Sequence, residues 1–262
     1  MLTSLKNPKI QQVRALLGRC AEREAAGLFV VEGVRLTEEA LAGGWRARLV
    51  LAGAQLSGRG RKVAAGFAAQ GAELIETADH VLAALTDTET SQGILAVIEH
   101  QPLPLNPQST FILIADGLRD PGNLGTLLRT AAAAGVQAVL LAPGTTDAFA
   151  PKVLRAGMGA HFRLPIWAYD WEQIAAFCHQ TLRPPLQIAL TAAQNGVPLW
   201  QADLRAPLAV VVGGEAEGYS PPAAAVADLT LTIPMPGQSE SLNAAVAAAI
   251  VLFEVVRQRM PA

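Results

Sequence analysis

Five nearly uninterrupted apolar runs in the second half of the chain constrain its fold more than any other feature: FILIA (111–115), AVLLA (138–142), QIALT (187–191), LAVVVG (208–213) and LTLTIP (229–234). Each is too short for a stable helix, and apart from the Leu-Thr alternation of LTLTIP none shows a polar period, so they read as strands covered on both faces in a parallel sheet. Helical stretches fall between them. The arrangement predicts an α/β layer domain with a parallel sheet, and such sheets bind ligands where loops leave the carboxyl ends of the strands.

The first hundred residues carry a shorter version of the pattern. LFVVEG, ARLVLAG, AELIET and GILAVIE read as strands, separated by helical stretches such as RLTEEALAGG. A helix over roughly residues 7–21 should begin at Asn7, with Pro8 in the first helical position. The segment QPLPLNPQ (101–108) has three prolines in eight residues and reads as a linker, dividing the chain into a domain over 1–100 and a second over 109–262.

No apolar run approaches the roughly 20 residues of a membrane span, and residues 1–20 lack the apolar core of a signal peptide, which places the protein in the cytoplasm. Cys20 and Cys178 stand far apart without metal-ligand spacing and read as reduced structural thiols, so no metal is expected. The net charge of −2 argues against binding to nucleic acid by bulk attraction. Charge is segregated, however: residues 1–62 hold 11 of the 20 Lys and Arg against 5 acids, and residues 63–100 hold no Lys or Arg and 6 acids. A basic face over Lys6, Lys9, Arg14, Arg19 and Arg23 could follow a phosphate backbone.

Three strand-end loops carry unusual chemistry. In ADGLRDPGNLGTLLRTAAAAG (115–135) a strand gives way to a helix that starts near Asn123, carries Arg129 and stops at Gly135. In VVVGGEAEGYSPP (210–222), Gly213 and Gly214 permit close approach to the backbone, and Glu215 puts a carboxylate just past a buried strand. The third, IPMPGQSESLN (233–243), leads into a helix near Ser241 that is apolar on nearly every side for three turns except at Asn243. None of the three fits a dinucleotide fingerprint or a P-loop, which disfavours a nucleotide-dependent oxidoreductase.

These loops resemble the three motifs of the SpoU-type (TrmH-like) RNA ribose 2′-O-methyltransferases of the SPOUT class. The first motif is NLGTLLRTA (123–131), the second GGEAEGYS (213–220), the third IPMPGQSESLNAAVA (233–247). The N-terminal stretches NPKIQQVRALLGR and LFVVEGVRLTEEAL are similar to the substrate-binding domain of L30e-like fold that often precedes this catalytic domain. The resemblance implies a trefoil knot in the C-terminal domain, S-adenosylmethionine (AdoMet) as cofactor, and a homodimer.

Carried over residue by residue, it implies a catalytic set of Asn123, Arg129, Glu215, Ser241 and Asn243. It implies cofactor contacts at Gly213, Gly214, Ile233, Met235 and Leu242, with Leu141 and Ala142 as a further wall. The implied substrate is RNA, ribosomal before transfer RNA, contacted by Lys6, Lys9, Arg14 and Arg19. A non-catalytic RNA-binding relative would show damage in the motifs, and all of these residues are present. The chain departs from the pattern at Ala245, where many members have Ser, and at Gly214, where Asn or Ala is commoner.

Overall fold

The structure, a computed structural model, describes residues 1–86, 91–214, 218–237 and 240–260. The chain forms two compact units, Met1–Gln101 with Phe149–Phe162, and Pro102–Ala148 with Arg163–Ala262.

The first unit runs α1 (Pro8–Gly18), α2 (Cys20–Ala26), β1 (Leu28–Glu32), α3 (Val34–Ala42), β2 (Ala47–Ala52), α4 (Gly58–Ala69), β3 (Glu73–Glu76), α5 (Asp79–Ala83) and β4 (Ile94–Glu99). Its four strands lie in the order β1-β4-β2-β3, with β4 antiparallel to both neighbours and β2 parallel to β3. Ile10, Val13 and Leu16 make one buried stripe on α1 and pack with Leu28, Val30, Leu49, Leu51, Leu95 and Val97 from the sheet. Asn7 caps α1 as its sequence predicts, accepting from the Lys9 N–H at 2.9 Å.

The single helix expected over 7–21 is two helices, because Arg19 is extended (φ −130°, ψ 127°) directly after Gly18. Arg23 then turns inward, 7% exposed, and its Nη1 donates to the Leu16 carbonyl at 2.6 Å. It satisfies an end group of α1 and leaves the expected basic face.

The second unit runs β5 (Phe111–Asp116), α6 (Pro121–Ala133), β6 (Ala138–Leu141), β7 (Ile166–Ala168), α8 (Trp171–Ala176), β8 (Gln187–Ala192), β9 (Val197–Pro198), β10 (Leu208–Gly213), α9 (Pro221–Val226), β11 (Leu229–Thr232) and α10 (Ala244–Arg259). Its seven strands are all parallel, in the order β7-β6-β5-β10-β8-β11-β9. The expected runs form β5, β6, β8, β10 and β11; all six residues of β5 are buried. The short strands β7 and β9 have too few residues to leave a periodic signature.

Two features depart from the sequence reading. The proline segment is stitched to the second unit: Trp167 Nε1 donates to the Leu103 carbonyl at 2.9 Å, and the Arg183 N–H to the Pro107 carbonyl at 2.9 Å. The three prolines bring no N–H of their own, and two of the segment's carbonyls, those of Leu103 and Pro107, take these donors. Residues 149–162, including α7 (Pro151–Gly157), join the first unit through aromatic packing. Phe149 lies 4.9 Å and Phe162 6.4 Å from Phe29 between ring centroids, and Trp45 Nε1 donates to the Phe162 carbonyl at 3.1 Å. Among the described residues, no helix is long and apolar enough to cross a membrane, and no cluster of three His, Cys, Asp or Glu side chains could hold a metal.

Candidate cofactor cleft and the residues around it

The first motif is built by its cap. Asp120 caps α6 with Pro121 behind it, and its Oδ1 accepts from the Asn123 N–H at 2.8 Å. Asn123 is therefore not the cap; it stands in the first turn with its side chain directed elsewhere. Asn243 reverses the expectation in the opposite sense. It is itself the cap of α10, its Oδ1 accepting from Ala245 N at 3.0 Å and Val246 N at 3.3 Å.

Because those backbone donors claim the Asn243 oxygen, its amide nitrogen faces outward and donates to Asn123 Oδ1 at 2.9 Å. The lone amide at the head of the apolar helix thus starts the helix and joins two motifs 120 positions apart.

The second motif is crowded by its own chain. A Cβ on Gly213 would lie 2.3 Å from the Gly218 carbonyl carbon and 2.5 Å from Tyr219 N; one on Gly214 would lie 2.6 Å from the Gly117 oxygen. Gly214 and Gly218 also exchange both backbone hydrogen bonds, at 3.0 and 3.1 Å, and Gly218 takes φ +69°. Close approach at these glycines is by backbone to backbone, so Gly214 tightens the loop. Glu215 lies outside the described residues.

At the carboxyl ends of β8, β10 and β11 opens a cleft of about 780 Å³. Gly213, Gly214, Ile233, Met235, Ser241, Leu242 and Asn243 all line it. Asn123 reaches it through its bond to Asn243. Leu141 and Ala142 do not line it: β6 is separated from β10 by β5, and Ala142 is buried with Ile174 in the core. Arg129 is exposed on α6, makes no ion pair with any described residue and is not part of the wall. Thr191, Ala192 and Ala193, at the end of β8, do line the cleft, as does Tyr219. QIALT shows that β8 is a strand; only the sheet order shows that it lies between the two motif strands.

The cleft offers apolar side chains at Ile233, Met235 and Leu242, backbone polar groups at its glycines, and the polar side chains of Thr191, Tyr219, Ser241 and Asn243. Cys178 is buried in the core, where burial and then Asp228 push its thiol up to about 12, so it stays protonated and inert. In the first unit, Lys6, Arg14 and Arg19 are exposed; Lys9 pairs with Glu73, and Arg19 lies 3.8 Å from Glu22.

Residues 110–253 match the SpoU rRNA Methylase family and residues 7–96 the MRM3-like substrate binding domain. The chain is 34% identical over 254 residues to the 23S rRNA (guanosine(2553)-2'-O)-methyltransferase RlmP of Bacillus subtilis, covering 97% of this chain and 98% of that protein. It is 31% identical to the AdoMet-bound rRNA methyltransferase from Sinorhizobium meliloti, with a TM-score of 0.88 over 99% of this chain and 98% of that one. The SpoU methyltransferase AviRb from Streptomyces viridochromogenes, in complex with AdoMet, is 30% identical with a TM-score of 0.88, covering 97% of this chain and 98% of that one.

Proposed function

The chain belongs to the SpoU rRNA Methylase family, and from that premise we propose that it methylates a ribose 2′-hydroxyl of 23S ribosomal RNA with AdoMet as donor. The observation that carries the reading is the convergence of the second and third motifs on one cleft, with the first tied to it by the Asn243–Asn123 bond. The full-length match to a 23S enzyme favours ribosomal over transfer RNA. The corresponding compartment is the cytoplasm.

The cleft suits AdoMet in size and chemistry. About 780 Å³ lies within the range of small-molecule sites. Ile233, Met235 and Leu242 offer apolar surface, and the glycine loop offers backbone groups to a polar ligand. AdoMet supplies, when bound, a sulfonium methyl that requires an aligned nucleophile rather than further activation.

The protein's task is therefore positioning, which can contribute several kcal/mol to lowering the barrier. A guanidinium stays protonated in proteins, so Arg129 acts as an electrostatic clamp and not as a base. It holds the neighbouring phosphate and favours negative charge on the 2′-oxygen, whose proton is released to solvent water as the new C–O bond forms, with Glu215 orienting it. Asn123, Ser241 and Asn243 fix the ribose and the loop geometry.

The active form proposed is a homodimer. Leu242, Val246, Phe253 and Met260 are 37%, 49%, 48% and 66% exposed; the last three recur every seventh residue and make an exposed apolar stripe. The all-round apolar character of α10 therefore serves two faces: Ala245, Ala248, Val251, Leu252 and Val255 pack within the unit, and the stripe meets a second copy. Phe253→Asp is expected to convert the dimer to monomer in sedimentation and to lower methyl transfer at least tenfold, with Arg129 then lacking a site across the interface. A monomeric wild type would remove this part of the proposal.

The trefoil knot is also part of the proposal. Its support is that the chain leaving β11 returns along the cleft wall to place α10 against α6 and β10, two strands away in the sheet.

RNA is proposed to lie along α1, over Lys6, Lys9, Arg14 and Arg19. Reversing Arg14 and Arg19 to Glu should weaken RNA binding and reduce its salt slope by about one for each phosphate no longer neutralised, with AdoMet affinity unchanged. Unchanged RNA affinity would move the RNA path elsewhere. The natural alternative is the cleft of about 650 Å³ lined by Arg35, Gln55, Ser57, Arg59 and Gln92, where α3 and α4 begin.

Two measurements test the activity itself. Calorimetry should detect AdoMet binding and no NAD binding. Mapping of 2′-O-methyl groups in total RNA should find one 23S position unmethylated when the gene is deleted; a change confined to transfer RNA would overturn the substrate.

A further inference from the structure

We propose that Asp116 is a positioning residue for the cleft: its buried carboxylate anchors Ser220, next to the wall residues Gly218 and Tyr219, and so sets the wall that holds the cofactor. This rests on the AdoMet reading above. Asp116 ends β5, is 1% exposed, and does not line the cleft. A buried carboxylate is costly unless it is compensated, and Asp116 makes no ion pair with a described residue. Its compensation comes from neutral donors. Ser220 N–H donates to Oδ2 at 2.6 Å, Ser220 Oγ to Oδ1 at 3.1 Å, and Trp171 Nε1 to Oδ1 at 3.3 Å.

Two of these three bonds come from one residue, and that residue closes the glycine loop. Ser220 follows Tyr219 and Gly218, both in the cleft wall, and caps α9. Gly218 in turn is held by paired bonds to Gly214 and lies against Gly213 with no room for a methyl group. A shift at Ser220 has no slack to absorb it before it reaches the wall. The site also demands an acceptor-only group. Asparagine presents one oxygen, so its N–H₂ must face either the Ser220 N–H or the Trp171 Nε1–H and leave that donor without an acceptor, whereas aspartate accepts from all three groups.

A merely structural role would lower stability without moving cofactor affinity, so both are measured on the full chain. By calorimetry, Asp116→Asn should bind AdoMet about tenfold or more weakly, and Ser220→Ala, which removes one donor, a few-fold more weakly, on the order of one hydrogen bond. Trp171→Phe removes a donor that comes from α8 and not from the chain next to the cleft wall; it should lower Tm and leave AdoMet affinity within about twofold of wild type.

Asp116→Asn and Ser220→Ala both binding AdoMet like wild type would overturn the proposal, as would Trp171→Phe weakening it as much as Ser220→Ala. If Asp116→Asn does not fold, the contrast between Ser220→Ala and Trp171→Phe decides. Failure of the wild-type protein to bind AdoMet overturns this inference together with the proposed function; wild-type binding with unaltered variants overturns this inference alone.

Discussion

Gly213→Ala is expected to weaken AdoMet binding at least about tenfold and to reduce methyl transfer in proportion, in a chain that still folds. The added Cβ would sit 2.3 Å from the carbonyl carbon of Gly218 and 2.4 Å from its oxygen. Both are backbone atoms, so no side chain can rotate aside and the loop must move as a whole. Inserting one methyl group into close-packed structure typically costs about 1–3 kcal/mol, and about 1.4 kcal/mol corresponds to a factor of ten in affinity. Here the strain falls on the wall of the cleft itself.

Gly237→Ala is the matched control. It lies in the third motif, yet a Cβ there meets nothing within 4 Å among the described residues. Its affinity should stay near wild type. Equal losses at Gly213 and Gly237 would mean that general loop flexibility matters, and that the close approach at Gly213 does not.

Arg129→Ala should leave AdoMet affinity unchanged and lower the rate of the chemical step by about 10²–10³-fold, the usual cost of removing one aligned electrostatic partner. The exposure of Arg129 outside the cleft wall is what separates the two effects. Arg129→Lys retains the charge and loses the planar fork, so it should recover only part of the rate. A pH–rate profile discriminates further. A clamp that stays charged adds no ionisation of its own, whereas near-wild-type activity for the lysine variant with a new ionisation near the lysine range would show proton transfer at this position.

The site was legible in pieces. Its glycines, its amides and its apolar residues all stand in loops that follow recognisable strands, and seven of the proposed positions line one cleft. The residues that fall elsewhere share a cause. Leu141 and Ala142 follow a strand as convincing as LAVVVG, but β6 lies on the far side of β5 from the cleft. Arg23 looks like its exposed neighbours in a basic stretch, yet the break at Arg19 turns it onto the Leu16 carbonyl. Asp116, one position past the apolar run FILIA, gave no sign that Ser220 and Trp171 would meet there.

What the amino-acid sequence determined by itself is therefore local. Apolar runs became parallel strands, Asn7 with Pro8 started a helix where the cap is expected, and three motifs marked three strand ends. These signals act within a few residues, over which the chain's own dihedral and capping preferences decide the outcome. The tertiary structure alone decided that β8 separates β10 from β11, that residues 149–162 pack with the first unit, and that Asn243 reaches back to Asn123. Contacts across a hundred or more positions bear the entropy of closing long loops and form only where the packed core repays it, so no local pattern can specify them.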